Sequence, residues 1–241
     1  MRIDILTLFP NMFLGPLQDS ILKRAQVRGL VHLFLHQVRD YALDRHQMVD
    51  DVPYGGGNGM LMKPEPIFRA VQAILGGMSA PIILLTPQGR TFNHKQARDL
   101  AQHSRVLFIC GHYEGVDERV RQHLVTDEVS IGDYVLTGGE LAVMVLVDAL
   151  ARFVPGVLGA EQGMYDDSYT SGLLEGPQYT RPAVYETLPV PDIVRSGNHA
   201  LVARWNRDMA LQRTWERRPE LLDKVDLTAE DRMSLSKIQS S

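Results

Sequence analysis

Cysteine is nearly absent: Cys110 is the one thiol in 241 residues. An internal disulfide is therefore excluded, which suits a reducing compartment and points to the cytoplasm. Cys110 follows Phe108-Ile109 in an apolar run and reads as core packing, the usual fate of a free cysteine. No apolar stretch approaches the roughly 20 residues needed to span a bilayer, so the sequence argues against a membrane protein. Residues 1–9 read as a strand and not a leader, because no small-residue cleavage site follows them. Metal and nucleophile signals are missing too. The eight histidines show no H-E-x-x-H and no paired Cys/His spacing, and there is no G-x-S-x-G elbow. His94 and His112 lack a visible triad partner and read as surface or hydrogen-bonded residues. The phosphate cradles are absent as well: no G-x-G-x-x-G follows the first strand, and no G-x-x-x-x-G-K-[ST] occurs. Tyr54-Gly55-Gly56-Gly57-Asn58-Gly59-Met60 is glycine-rich, but it follows a charged loop, and Lys63 is badly placed for a P-loop. It reads as a lid.

What is present is an ordinary globular composition, 44% apolar and 22% charged with a net charge of −4, enough for one large domain or one medium domain with an appendage. Apolar strand patterns recur at 2–9, 31–38, 81–86, 105–110 and 127–131. Helical patterns lie between them at 11–28, at 93–103 behind an Asn93 cap, and at 139–153. The alternation predicts an α/β fold with a mainly parallel sheet and helices on both faces. Beyond residue 153 the pattern dissolves into Gly, Asp, Ser, Tyr and Pro, and helical spacing resumes near 196–215 and in the last twenty residues. The division expected is an α/β domain over 1–160, a flexible linker over 161–175 and a small helical C-terminal domain over 176–241.

Three glycine-bearing loops follow successive strands. They are Thr86-Pro87-Gln88-Gly89-Arg90, then Gly111-His112-Tyr113-Glu114-Gly115-Val116-Asp117-Glu118-Arg119, then Ile131-Gly132-Asp133-Tyr134-Val135-Leu136-Thr137-Gly138-Gly139-Glu140. Loops at the carboxyl ends of parallel strands share one edge of the sheet, so the three can converge on one ligand. Without a phosphate motif, a nucleoside cofactor held by backbone groups and apolar walls fits better than a dinucleotide. Residues 195–218 gather Arg195, Arg204, Arg207, Arg213, Arg217 and Arg218 around Trp205 and Trp215. Arginine beside aromatics suits phosphate and unstacked bases, and a solvated helix face anchored by its tryptophans accounts for the same pattern.

Read in order, Met60-Leu61-Met62-Lys63-Pro64, residues 111–119, residues 131–140, Tyr179-Thr180-Arg181-Pro182 and Ser196-Gly197-Asn198-His199 resemble the bacterial tRNA (guanine-N1)-methyltransferases that modify the guanosine at position 37. The resemblance covers nearly the whole chain. It implies a deep trefoil knot at the cofactor site, a rare exception to the usual topology rules. It also implies S-adenosylmethionine as methyl donor and a homodimer whose active sites are shared between subunits. By matching motifs, the donor site is Leu84, Leu85, Thr86 and Pro87; Gly111, Tyr113, Glu114 and Gly115; and Ile131, Gly132, Asp133, Tyr134, Val135, Leu136, Gly138 and Gly139.

The same resemblance implies Asp167, in Tyr165-Asp166-Asp167-Ser168, as the general base that removes the guanine N1 proton, and Arg152 as the cation facing charge on O6. From the residues alone, Asp166 and Asp167 are equivalent linker acids, and Arg152 passes for a cation at a helix C-terminus. The resemblance further implies Mg²⁺, for which Glu114 is a candidate ligand without any supporting ligand pattern. It gives residues 195–218 more weight as a tRNA surface. Val52 and Asn58 depart from the family, where arginine and proline are common, and bear on target contacts rather than on the cofactor pocket. A knotted methyltransferase acting on another RNA site or a ribose 2′-hydroxyl is the alternative enzyme, and an RNA-binding protein without turnover is the alternative outside enzymes.

Overall fold

The computed structural model describes residues 1–158 and 167–240, and the chain divides into two compact units, Met1–Gly159 and Ala160–Ser241. The first unit holds strands β1 (Arg2–Thr7), β2 (His32–Gln37), β3 (Asp50–Asp51), β4 (Leu61–Met62), β5 (Ile82–Thr91), β6 (Arg105–Cys110) and β7 (Asp127–Ser130). Five of them form a sheet in the order β2-β1-β6-β5-β7, every pair parallel. Strands β3 and β4 make a short antiparallel pair. The helices are α1 (Ser20–Val27), α2 (Pro64–Leu75), α3 (His94–Leu100), α4 (Glu118–His123) and α5 (Glu140–Ala151).

Period-two alternation sends the strand side chains to two apolar cores. Ile3, Ile5, Ile83, Leu85, Val106 and Phe108 pack with α1 and α5 on one face. Leu6, Ile82, Leu84, Leu107 and Ile109 pack with α2 and α4 on the other. Two opposite charges are buried in the sheet, Asp4 of β1 and Arg105 of β6. The Asp4 carboxylate accepts hydrogen bonds from Arg2 Nε at 2.9 Å, His36 Nε2 at 2.8 Å and Arg105 Nε at 2.8 Å. Burial pushes Asp4 up, but these three donors outweigh it and hold the group well below the usual carboxylate range.

The structure departs from the sequence expectations at several ends. The single helix expected over 11–28 is a 3₁₀ turn, Pro10–Phe13, followed by α1 with Asp19 as its cap. Gly15-Pro16 interrupts it, since the residue before a proline is pushed out of the α region. Strand β5 runs on to Thr91 because it resumes pairing with β7 after a bulge. Helix α2 has no counterpart among the sequence expectations, although Pro64 at its start, Gly76 in the left-handed conformation at its end and Ile67, Ala70, Val71 and Ile74 between them are its proper signals.

In the second unit, a hairpin of β8 (Val184–Tyr185) and β9 (Leu188–Pro189) precedes α6 (Asp192–Arg195), α7 (His199–Arg217) and α8 (Ala229–Gln239). Among the described residues its buried apolar core is small: Leu173, Leu211 and Leu235. An ionic staple supplements it. Buried Asp231 accepts from Arg207 Nη2 at 3.0 Å and Arg204 Nη1 at 3.4 Å, and Arg204 also pairs with Asp208 and Glu230. Arg213 donates to the Glu175 carbonyl, and Arg218 pairs with Glu220. Most of the arginines of 195–218 thus make contacts within their own unit, while Arg217 and Trp215 are exposed.

Candidate active site

Three chain segments meet at the carboxyl ends of β5, β6 and β7. Leu85 and Arg90 both stand opposite Val129, so residues 86–89 loop out of β5. After β6, Tyr113 takes a left-handed backbone conformation (φ 59°). Its loop is tied to the glycine segment by Glu114 N–H to the Met60 carbonyl (3.0 Å) and Met62 N–H to the Gly115 carbonyl (2.9 Å). After β7, at the sheet edge, residues 131–139 cross back past β5 and dock on the loop that follows β6. Gly139 N–H donates to the Gly111 carbonyl at 2.8 Å, and His112 pairs with Gly138. Gly139 has to be glycine, because a Cβ there would lie 2.8 Å from Cys110 Cα.

These segments enclose a cleft of about 280 Å³. Of the residues expected to hold a cofactor, Leu84, Leu85, Thr86, Pro87, Gly111, Tyr113, Glu114, Gly115, Ile131, Tyr134, Val135, Leu136, Gly138 and Gly139 line it. Gly132 and Asp133 do not. Gly132 instead packs under the Tyr134 ring, 2.5 Å from where its Cβ would stand, and closes a turn with the Ser130 hydroxyl. At Gly111 an added Cβ would meet only the Leu85 carbonyl, at 3.5 Å, and at Gly115 nothing within 4 Å. Both leave room for a ligand. The wall also includes His112, Arg121, Ser130 and Thr137, which sequence reasoning missed. Arg121 sits on α4, a helix whose only sequence mark was the Asp117 cap ahead of Glu118.

Beneath the cleft, the buried Thr7 hydroxyl donates to Glu140 Oε1 at 2.7 Å and accepts from Phe9 N–H at 2.9 Å. Burial, and then the nearby Glu140 carboxylate, push the Cys110 thiol well up despite a hydrogen bond with Thr7. The expectation of an inert core cysteine is thus met by its surroundings.

Arg152 does not line the cleft. Arg152 follows the last residue of α5, while the first turn of α5 borders the cleft. Twelve helical residues span about 18 Å at 1.5 Å each. Asp167 belongs to the second unit, where its carbonyl accepts from Thr170 N–H. Its neighbour Asp166, and residues 161–166 of the expected linker, lie outside the described residues. Among the described residues no group of three or more His, Cys, Asp or Glu could hold a metal ion, and no helix is long and apolar enough to cross a membrane.

A family model described as tRNA (Guanine-1)-methyltransferase TrmD matches residues 1–224. A tRNA (guanine-N(1)-)-methyltransferase of Dehalococcoides mccartyi strain 195 is 55% identical over 99% of this chain and 97% of its own length. Proteins of the same name from Geobacillus kaustophilus and Staphylococcus epidermidis are 57% and 52% identical. They cover 95% and 96% of this chain and 94% and 95% of their own lengths.

Proposed function

This chain belongs to the tRNA (Guanine-1)-methyltransferase TrmD family, and from that premise we propose that it transfers a methyl group from S-adenosylmethionine to N1 of the guanosine at position 37 of tRNA. The observation that carries the reading is the cleft: three glycine-bearing loops at successive strand ends, which hold the motifs that resemble the family. When bound, S-adenosylmethionine supplies an electrophilic methyl carbon on a positively charged sulfur. Backbone N–H and C=O groups of residues 111–115 and 131–139 suit its polar edges, and Leu84, Leu85 and Pro87 suit the flat face of its base. The return of residues 131–139 across β5 is where the family's trefoil knot would form.

In the reaction the N1–CH₃ bond forms as the S–CH₃ bond breaks, and the N1 proton has to leave. Asp167 is assigned as the base that takes it, and Arg152 as the cation that stabilises negative charge developing on O6. Within one chain Arg152 stands a helix length from its own cleft, so this assignment needs a second copy to complete each site. The surface of α5 supports that. The helix is apolar nearly all round, a composition usually found fully buried, yet Leu141 and Val145, one turn apart, are 51% and 49% exposed. A homodimer covers them. Residues 1–160 then bind the methyl donor, residues 161–175 carry the base, and residues 176–241 contact tRNA. Among the described residues Glu114 is the one carboxylate lining the cleft. The described residues do not assemble a magnesium site, and no step is routed through that ion.

Asp167→Ala tests the assignment. Formation of N1-methylguanosine should fall by about 10²–10⁴-fold, the usual worth of a general base, while S-adenosylmethionine binds as before. Undiminished methylation would overturn the role of Asp167, and label appearing on a ribose would favour the 2′-hydroxyl reaction instead.

A further inference from the structure

The loop of residues 86–89 is a bulge in β5, and bulges beside a site serve to aim side chains. Two ion pairs anchor this one: Arg90 with Asp127, and Arg121 of α4 with Glu128, Nη1 to Oε2 at 2.5 Å. Gly89 at its far end has no room to shift, since a Cβ would stand 2.4 Å from Val129 N. The second nitrogen of the same guanidinium, Arg121 Nη2, donates to the Thr86 hydroxyl at 3.0 Å. Arg121, with its side chain 15% exposed, lies along the cleft wall together with Thr86.

A threonine hydroxyl has two lone pairs and one proton. On Thr86 both lone pairs are engaged, by Arg121 and by the Gln88 N–H at 3.4 Å. A guanidinium and a backbone amide can only donate, so the Thr86 proton must point elsewhere. Among the described residues it meets no acceptor. We propose that Arg121 is a positioning residue for the methyl-donor site: by donating to Thr86 while braced on Glu128, it turns that hydroxyl into a hydrogen-bond donor aimed at an acceptor atom of the bound nucleoside. The proposal rests on reading the cleft as the S-adenosylmethionine site. It needs the planar fork of arginine, because an ammonium is a point charge that cannot brace and aim in two fixed directions.

The test is calorimetric binding of S-adenosylmethionine to the full-length protein and its variants, with melting temperature measured for each. Thr86→Val and Arg121→Met should each weaken binding about 10-fold, the worth of one hydrogen bond to a ligand. The double variant should bind no more weakly than the weaker single. Thr86→Ser should bind within about 2-fold of wild type, whereas Arg121→Lys should not recover the loss. Glu128→Gln separates stability from aiming, since it strips the charge but keeps an acceptor oxygen that braces the guanidinium: its melting temperature should fall while its affinity stays within about 2-fold of wild type. Additive losses in the double variant would show Arg121 acting on the ligand directly and overturn the proposal, as would unchanged affinity in Thr86→Val. Failure of the wild-type protein to bind S-adenosylmethionine would instead overturn the reading of the cleft itself.

Discussion

Asp231→Asn should selectively destabilise the second unit. The Asp231 side chain is 2% exposed and faces two guanidiniums, Arg204 and Arg207, that are 31% and 30% exposed. It also closes a capping box with Thr228 at the start of α8. Asparagine keeps the volume and part of the cap but removes the counter-ion. Breaking a fully buried pair costs about 3–5 kcal/mol. Both arginines reach solvent, and Arg204 keeps Asp208 and Glu230, so about 2–3 kcal/mol is expected here. For a unit of this size each kcal/mol moves the melting temperature by about 4–8 °C, giving a fall of about 10–20 °C. The assay is tryptophan emission, because Trp205 and Trp215 are the chain's two tryptophans and both lie in the second unit. Acid should produce the same effect in the wild type. Burial pushes the Asp231 carboxyl up, but hydrogen bonds from Arg207 and Thr228 overcome it and bring the group to about 2 from its ordinary 3.8. A depressed folded-state value contributes stability that is complete above the unfolded value and fades as pH falls through 4 towards 2, about 2 kcal/mol in all. A melting shift under about 3 °C for Asp231→Asn, or wild-type stability that is flat across that window, would refute the reasoning.

In the first unit, Asp4→Asn leaves Arg105 buried without its carboxylate and should cost about 3–5 kcal/mol. Scanning calorimetry checks this, and adding Arg105→Met should restore part of the loss. The glycines of the cleft should behave differently from one another. Gly139→Ala drives a Cβ into Cys110 and should destabilise by about 1–3 kcal/mol, whereas Gly111→Ala should melt like wild type but bind S-adenosylmethionine more weakly. If sites are shared in a dimer, Gly111→Val and Asp167→Ala proteins, each inactive alone, should recover about a quarter of wild-type activity when co-assembled, because half the dimers are mixed and each has one intact site. No recovery would mean that cleft and base belong to the same chain.

Strands β5 and β6 were legible in the sequence because their apolar runs are bounded by turn residues and covered on both faces, and 105–110 matches β6 residue for residue. The cleft was legible as three glycine loops at strand ends, since a parallel sheet puts those ends on one edge. Arg121, by contrast, carried no signal. An arginine in Glu118-Arg119-Val120-Arg121 looks like part of any solvated helix face, and only the bulge in β5 reveals what it braces. The pairing of Arg204 and Arg207 was not legible either: their partners Glu230 and Asp231 lie more than twenty residues away in sequence, and charge patterning along one helix cannot see them. Asp167 and Arg152 were singled out by family resemblance alone, because a catalytic carboxylate in an irregular segment has no periodicity to betray it.

The most direct test of the central claim is to incubate the wild-type protein with methyl-labelled S-adenosylmethionine and a tRNA transcript bearing guanosine at position 37, then digest and identify the labelled nucleoside. The account expects label in N1-methylguanosine, lost when position 37 is changed to adenosine. Label in a 2′-O-methylated nucleoside, at another position, or nowhere at all would contradict it.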